Sequence, residues 1–231
     1  MYQGKMKAVT FSFDDGITQD QRVIEILDKY GLRGTFNLNS ELLGTGRGLV
    51  RQEVTIAHVK PRACEIQNIY KNHEIAAHTL THPSLPKCDD AEVIRQVEQD
   101  RQALSELAGY EVVGMAYPGG GVNHDDRVVE LIKQHTGIKY ARTVTHSYSF
   151  DLQEDLYRFK ATASAIEFDR LHALAEEFLN AKPDKPMLFY IWGHSFEFDI
   201  DNSWSKFEDF CKLISGHDDI FYGTNREVFS L

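Results

Sequence analysis

Two pairs of side chains in this sequence have the types and spacing of a hydrolytic metal site. Asp14 and Asp15 follow a mostly apolar stretch that begins at Ala8, and His78 and His82 lie four residues apart in His-Thr-Leu-Thr-His. In a helical turn that spacing places two side chains on one face. We therefore predict a single turn after a strand, ended by Pro83, in which both imidazoles can bind one metal ion.

One carboxylate and two imidazoles make a three-ligand set with open coordination positions, which is typical of a catalytic rather than a structural metal site. A metal held this way lowers the pKa of bound water towards ~7. A second carboxylate beside the ligand can then accept the proton of that water. The residues alone predict that one of Asp14 and Asp15 binds the metal and the other is the base, without assigning the two roles.

The elements that must position these residues alternate along the chain as strand and then helix. This order predicts a mostly parallel sheet, either closed as a barrel or doubly wound. Polar residues or glycines follow one predicted strand after another, which favours a barrel with a site at the strand ends: Asp14 and Asp15, Asn39, His78, Gly119 and Gly120, and His194. The first strand lacks the glycine-rich turn of dinucleotide-binding folds. The glycine-containing stretch 43–48 is expected to be a loop.

Length and composition favour one domain over residues 1–231, since 42% of the residues are hydrophobic. The net charge of −10 argues against nucleic acid and anionic membranes as partners. No apolar run approaches the ~20 residues of a membrane-spanning helix, and no leader precedes the first strand. We therefore expect a cytoplasmic protein, unless an export signal has been removed. The sequence does not predict an oligomeric state.

Four motifs in this order resemble the polysaccharide deacetylase family, which is the NodB-homology or carbohydrate esterase family 4 group. They are Ser-Phe-Asp-Asp-Gly at 12–16, the two-histidine motif at 78–82, Tyr-Pro-Gly-Gly at 117–120 and Trp-Gly-His at 192–194. The resemblance spans about residues 9–194. It implies a distorted (β/α) barrel and a metal-dependent hydrolase that removes N-acetyl groups from amino sugars, such as N-acetylglucosamine of peptidoglycan or chitin type.

The resemblance also implies a role for each matching residue. Asp14 becomes the general base, and Asp15 becomes the metal ligand together with His78 and His82. His194 becomes the general acid, a role that suits the near-neutral pKa of histidine. The implied metal is most simply Zn²⁺, with Co²⁺, Ni²⁺ and Fe²⁺ as alternatives.

Substrate-binding roles are implied for residues of the two later motifs. Trp192 matches a bulky residue that lines the acetyl-methyl pocket, and Gly119 offers a backbone N–H to the oxyanion. Tyr117 belongs to the same motif as Gly119.

The chain departs from the family pattern at this third motif, because the arginine that holds the base carboxylate is missing from it. Arg142 or Arg158 is a candidate replacement, and we count Arg142 among the substrate-site residues. The acidic segment that orients the general acid is also not evident, with Asp151 and Asp155 as candidates by neighbourhood.

The other histidines show no ligand spacing, and we expect no site role for them: His58, His73, His124, His135, His146, His172 and His217. After His194, acidic and aromatic residues between 195 and 204 either line a sugar cleft or form a solvated loop. Two alternative functions follow from these observations. One is an amidohydrolase acting on a non-sugar amide or cyclic ureide, and the other is a carbohydrate-binding protein whose catalytic set has decayed.

Overall fold

The structure is a computed structural model that describes residues 2–231. Strands and helices alternate through most of it, as the sequence predicts. In chain order they are β1 (Lys7–Asp14), α1 (Asp20–Lys29), β2 (Gly34–Leu38), β3 (Gly46–Arg51), β4 (Val54–Val59), α2 (Ile66–Ile69), β5 (Glu74–Ala77), α3 (Asp90–Ala108), β6 (Gly114–Ala116), α4 (Asp126–His135), β7 (Tyr140–His146), β8 (Phe159–Ala161), β9 (Ala163–Ser164), α5 (Phe168–Asn180), β10 (Met187–Gly193), α6 (Glu197–Ile200), α7 (Trp204–Ile214), β11 (Ile220–Tyr222) and α8 (Asn225–Phe229).

Strand β1 lies at the centre of the main sheet, and all eight of its residues are buried. It pairs in parallel with β2, β10 and β11. Phe11 and Phe13 face outward and pack against Phe207 of α7. Because successive side chains of a strand point to opposite faces, Ser12 and Asp14 face the inside of the sheet. The strand therefore supplies both an apolar helix-packing face and a polar interior.

The two ends of the main sheet meet in one short stretch of chain. The strand order is β8-β7-β6-β5-β2-β1-β10-β9, and Thr162 alone separates β8 from β9. Strand β8 pairs with β7, and strand β9 pairs with β10. The N–H of Thr162 donates to the carbonyl of Tyr190 at 2.7 Å. The sheet thus curls into a distorted barrel, which confirms the fold class predicted from the sequence.

Strands β3 and β4 form a separate antiparallel hairpin beside the barrel. The expectation that residues 43–48 form a loop is therefore wrong from Gly46 onward. Most side chains of the hairpin are exposed, so it lacks the apolar alternation by which a half-buried strand is recognised. Leu49 and Ile56 fix it to the body of the protein by packing with Ile17 and Phe196.

The termini of the longest helix agree with its sequence signals. The Asp89 carboxylate caps α3 by accepting a hydrogen bond from the N–H of Glu92 at 2.8 Å. Gly109 ends the helix in the left-handed conformation, with φ 77°. No helix within residues 2–231 is both long and apolar enough to cross a lipid bilayer.

Candidate active site

A cleft of about 940 Å³ lies at the carboxyl ends of the barrel strands. Parallel strands end on the same side of a barrel, so the polar residues that follow them converge there. The β3–β4 hairpin forms part of its wall. The predicted site residues that line the cleft are Asp14, Asp15, His78, His82, Tyr117, Gly119, Trp192 and His194. Arg142 is buried behind them.

Asp14 ends β1 and is 2% exposed. The guanidinium of Arg142 contacts both of its carboxylate oxygens, and Asn37 Nδ2 donates to Oδ1 at 2.9 Å. Burial alone would raise the pKa of Asp14, but the charge of Arg142, with those of His78 and His194, holds this pKa below its ordinary value. Asp14 is therefore ionised at neutral pH, as a proton acceptor must be.

Arg142, rather than Arg158, is the arginine that reaches Asp14. Strand pairing places Arg142 opposite Ala116, two residues before the third-motif proline, and its guanidinium also lies 4.2 Å from the Trp192 ring centroid. Arg158 instead pairs with Asp126 at 2.6 Å and with Asp155 at 2.9 Å. The absent motif arginine was the one sequence feature that favoured a decayed catalytic set, and the cation beside Asp14 removes that reason.

Asp15 sits in the turn after β1 with a left-handed backbone, at φ 80°. His58 Nε2 donates to its Oδ2 at 3.1 Å. Lys60 Nζ donates to its backbone carbonyl and to Asn39 Oδ1, the second at 3.0 Å. Burial would raise the pKa of Asp15, but the His58 hydrogen bond and the charges of nearby cations lower it below the ordinary value.

His58 and Lys60 are therefore site residues that the sequence reasoning missed. The expectation of no site role for His58 is wrong, because its contact with Asp15 spans 43 residues of chain and depends on the β3–β4 hairpin folding back over β1. No local spacing in the sequence reports such a contact.

His78 and His82 lie in an irregular loop and not in the helical turn that their spacing predicts. Thr79 and His82 have φ angles of 67° and 61°, which a right-handed helix does not allow. Thr79 Oγ1 accepts a hydrogen bond from the N–H of His82 at 3.1 Å, and Asn39 Nδ2 donates to the carbonyls of His78 and Thr79. The loop still brings the two imidazole centroids within 4.9 Å of each other.

The ligand atoms of Asp15, His78 and His82 all lie within 4.8 Å of one another. His78 and His82 place Nε2 at 3.8 and 3.7 Å from Asp15 Oδ1. These separations are too long for hydrogen bonds. They are short enough for one metal ion to bond both atoms of each pair, since each metal–ligand bond is about 2.0–2.2 Å long.

The protonation state of His78 suits the same role. His78 Nδ1 donates to the Ala116 carbonyl at 2.9 Å, which leaves Nε2 as the free donor atom. Burial lowers the pKa of His78 to about 4, so the ring is neutral at pH 7, as a ligand must be. The three residues therefore fit one divalent metal ion.

His194 follows β10, the strand beside β1, and so lies at the same sheet edge as Asp14. Glu197 accepts a hydrogen bond from the backbone N–H of His194 at 2.8 Å, and its other oxygen lies 3.5 Å from the ring Nδ1. Burial would lower the pKa of His194, but Glu197, with Asp14 and Asp15, raises it to about 9. The ring is therefore protonated at neutral pH and can donate a proton.

Glu197 occupies the place that the sequence analysis offered to Asp151 or Asp155. Those two candidates are wrong, because Asp151 pairs with Lys185 at 2.6 Å and Asp155 with Arg158. The sequence does carry a signal for Glu197, since a carboxylate three residues after a histidine can reach it when the chain turns at a strand end.

Trp192, Tyr117 and Gly119 form another part of the cleft wall. Trp192 Nε1 donates to His146 Nε2 at 2.7 Å, so His146 also has a supporting role that the sequence analysis did not give it. Tyr117 is buried and its hydroxyl donates to the Tyr157 carbonyl at 3.0 Å, which leaves the ring rather than the hydroxyl for the cleft. Gly119 has φ 81°, lines the cleft and has open space where a Cβ atom would lie, so no side chain covers its backbone there.

The fold is thus an α/β barrel with carboxylates and histidines gathered at the carboxyl ends of its strands. Residues 2–141 match the family model described as polysaccharide deacetylase. Because that match covers more than half of the chain, the protein belongs to the polysaccharide deacetylase family.

Curated relatives carry the same kind of name. The chain is 29% identical over 115 residues to a chitooligosaccharide deacetylase of Rhizobium leguminosarum bv. phaseoli, a match covering 49% of this chain and 40% of the relative. It is 25% identical over 119 residues to the peptidoglycan-N-acetylglucosamine deacetylase PgdA of Listeria monocytogenes, covering 51% of this chain and 22% of the relative. The chain thus matches less than half the length of either protein.

Solved structures show the same fold at low sequence identity. The Xyl-CE4 domain of a multidomain xylanase from the hindgut metagenome of Trinervitermes trinervoides superposes with a TM-score of 0.59 and 17% identity, over 97% of this chain and 90% of that one. A family 4 carbohydrate esterase from Streptomyces lividans, solved with acetate, gives a TM-score of 0.55 and 13% identity, over 95% and 92% of the two chains.

Proposed function

We propose that residues 1–231 form one catalytic domain that hydrolyses the N-acetyl group of amino sugars with the help of a bound divalent metal ion. The observation that carries the proposal is the convergence of an ionised carboxylate, a protonated imidazole and a three-ligand cluster in one cleft. Asp14, His194 and the set Asp15, His78 and His82 all line it. The names of the curated relatives support N-acetylglucosamine-type substrates.

In this proposal Asp15, His78 and His82 hold the metal, with Zn²⁺ favoured by the mixed nitrogen and oxygen donors. When bound, the metal supplies a Lewis acid that polarises the acetamide carbonyl and lowers the pKa of water. The remaining chemistry belongs to side chains and backbone groups of this chain.

Asp14 accepts a proton from the water that attacks the acetamide carbon, and the Gly119 N–H donates to the oxygen that becomes negatively charged. His194 gives its proton to the nitrogen as the carbon–nitrogen bond breaks, so that acetate and the free amine leave. Trp192 borders the space for the acetyl methyl group. Arg142 keeps Asp14 ionised, and Glu197 keeps His194 protonated before the reaction.

His58 and Lys60 act as positioning residues for the metal ligand. His58 occupies Oδ2 of Asp15 and so leaves Oδ1 facing the two histidine ligands. Lys60 holds the backbone carbonyl of Asp15 in its left-handed turn. Such partners of metal ligands typically contribute 10–100-fold to metal affinity.

The experiment that tests this function is an acetate-release assay on N-acetylated oligosaccharides of chitin and peptidoglycan type. Hydrolysis of small amides and of a cyclic ureide, which has no acetyl group to release, is followed in parallel by the amine or the ring-opened product that forms. The protein is assayed after metal removal and after Zn²⁺, Co²⁺, Ni²⁺ or Fe²⁺ is restored. We expect metal-dependent acetate release from the amino sugars. Turnover of the small amides or the ureide alone would support the alternative amidohydrolase, and metal-independent release would contradict the proposal.

A further inference from the structure

The β3–β4 hairpin presents two arginines to the cleft from one face of one strand. Arg47, Leu49 and Arg51 occupy alternate positions of β3 and all line the cleft. Side chains at such positions share a face of the strand. Leu49 is half-buried in the small apolar cluster that fixes the hairpin to the barrel, and this contact holds the face that carries both arginines beside the cleft.

Neither arginine has an acidic partner in the described part of the chain. Arg51 makes one long hydrogen bond, to the Val50 carbonyl at 3.5 Å. Asp201 lines the same cleft but lies more than 4.0 Å from both guanidinium groups. Elsewhere in this acidic protein arginines typically lie within 4.0 Å of a carboxylate, as is seen for Arg33, Arg62, Arg95, Arg101, Arg127, Arg142, Arg158 and Arg170.

The position of Arg47 makes this lack of a partner more informative. Arg47 is the cross-strand neighbour of His58, which contacts Asp15, so it stands beside the proposed metal ligands. Lys60 lies on the same side, with its ammonium already bound to Asp15 and Asn39. Arg47 is exposed and Lys60 is buried, and an anion that lies between them would offset the repulsion of their like charges. Since no carboxylate of residues 2–231 lies within 4.0 Å of Arg47, we expect the ligand to supply that anion.

The spacing of the two arginines sets the kind of ligand. Their Cα atoms are four residues apart in an extended strand, or about 13 Å, which exceeds one monosaccharide ring. Guanidinium groups bind carboxylates and phosphates through paired hydrogen bonds. Arg47 can therefore serve a group next to the reacting sugar, while Arg51 serves a group on a more distant unit.

We propose that Arg47 and Arg51 form a subsite for oxyanions carried by the substrate, so that the preferred substrates are acidic N-acetylated oligosaccharides rather than neutral ones. This inference rests on the proposed deacetylase function and names the substrate class of that same site. The shared chemistry is a carboxylate or a phosphate on a sugar linked to the N-acetylated unit.

The test compares kcat/KM for acetate release from a carboxylate-bearing N-acetylated oligosaccharide and from the same oligosaccharide after its carboxyl groups are reduced to alcohols. A phosphate-bearing oligosaccharide is a third arm that distinguishes the two oxyanions. We expect the metal-loaded protein to prefer an acidic substrate by about tenfold or more, mainly through KM, as charged hydrogen bonds typically provide. This preference should weaken with added salt.

The ratio of kcat/KM for the acidic substrate to kcat/KM for the neutral one should fall towards one in three variants: Arg47→Ala, Arg51→Ala and the double variant. Arg33→Ala is the matched control, because Arg33 is half-buried and pairs with Asp28 away from the cleft. It should keep the parent ratio. Equal turnover of acidic and neutral substrates by the parent protein, or a ratio that the double variant leaves intact, would overturn the subsite.

A separate binding measurement distinguishes failure of the subsite from failure of the proposed function. The acidic and the reduced oligosaccharides are titrated calorimetrically into the metal-loaded parent protein and the double variant. If no substrate releases acetate, tighter binding of the acidic one that is lost in the double variant still supports the subsite while rejecting the deacetylase. Equal binding of both oligosaccharides would reject the subsite.

Discussion

Replacing Arg142 with methionine should destabilise the protein strongly, since Asp14 would remain buried without its cation. The two side chains are 1% and 3% exposed, and Asn37 would be the remaining side-chain hydrogen-bond donor to Asp14. Breaking a buried ion pair by removing one partner costs about 3–5 kcal/mol. In a protein of 231 residues, with about 2–4 °C per kcal/mol, this corresponds to a fall in Tm of about 6–20 °C.

The loss of stability caused by Arg142→Met should become larger as pH rises. In the parent protein Arg142 lowers the pKa of Asp14, so their interaction stabilises the fold above the unfolded pKa of about 3.9 and is lost as pH falls through the folded value. In the Arg142→Met variant the charges of His78 and His194 still oppose burial, but the largest opposing charge is gone, so the pKa of Asp14 is higher than in the parent. The folded variant then keeps a proton over a pH range in which the folded parent has lost it, so its stability relative to the parent decreases as pH rises. The stability deficit is expected to be larger at pH 8 than at pH 5.

The stability deficit is measured as the difference in free energy of unfolding between the metal-free parent and each variant, from urea unfolding at pH 5 and pH 8. The double variant Asp14→Asn with Arg142→Met removes both charges and should recover most of the lost stability without recovering activity, because replacing both partners avoids the unpaired charge. Arg158→Met is the control, as Arg158 pairs with exposed carboxylates and such pairs contribute at most about 1 kcal/mol. A loss below about 1 kcal/mol for Arg142→Met, or one that is independent of pH, would refute the reasoning.

Two further predictions concern the proton donor and the metal ligand. Burial would lower the pKa of His194, but Glu197 raises it above the ordinary value of histidine, so we expect kcat to fall with rising pH where this ring loses its proton. The Glu197→Gln variant should move this descending limb to lower pH, and an unmoved limb would remove Glu197 from this role. The His58→Ala variant should weaken Zn²⁺ binding by about 10–100-fold. The affinity is measured by competition with a chromophoric chelator, and His135→Ala is the control because His135 is exposed. Equal Zn²⁺ affinities in the two variants would contradict the positioning role of His58.

Sequence patterns were informative where function depends on the ends of buried strands. The apolar run before Asp14 and the one before His194 each predict a strand, and parallel strands must end at one edge of the sheet. That the two residues lie at the same end of the barrel therefore follows once the fold class is known, whereas their adjacency depends on the pairing of β1 with β10. The spacing of His78 and His82 predicted their proximity correctly but for the wrong local conformation, because a loop with two left-handed residues achieves it.

Contacts that depend on strand register or on an inserted element were not predictable in the same way. Arg142 reaches Asp14 because β7 pairs with β6 in one register, and a shift by one residue would turn its side chain to the opposite face. His58 and Lys60 reach Asp15 through a hairpin whose exposed, polar strands resemble a loop in sequence. Both contacts join segments distant in the chain, so local patterns contain little information about them.

The measurement that tests the central claim most directly is parallel determination of bound metal and acetate release for the parent protein, Asp14→Asn and His78→Ala. Asp14 serves as base and His78 as ligand in this account, so the two variants should separate. Asp14→Asn should retain close to the parent metal content while losing nearly all turnover, whereas His78→Ala should lose both. Near-parent acetate release by Asp14→Asn, or full metal content in an active His78→Ala protein, would contradict the assignment of this cleft as a metal-dependent deacetylase site.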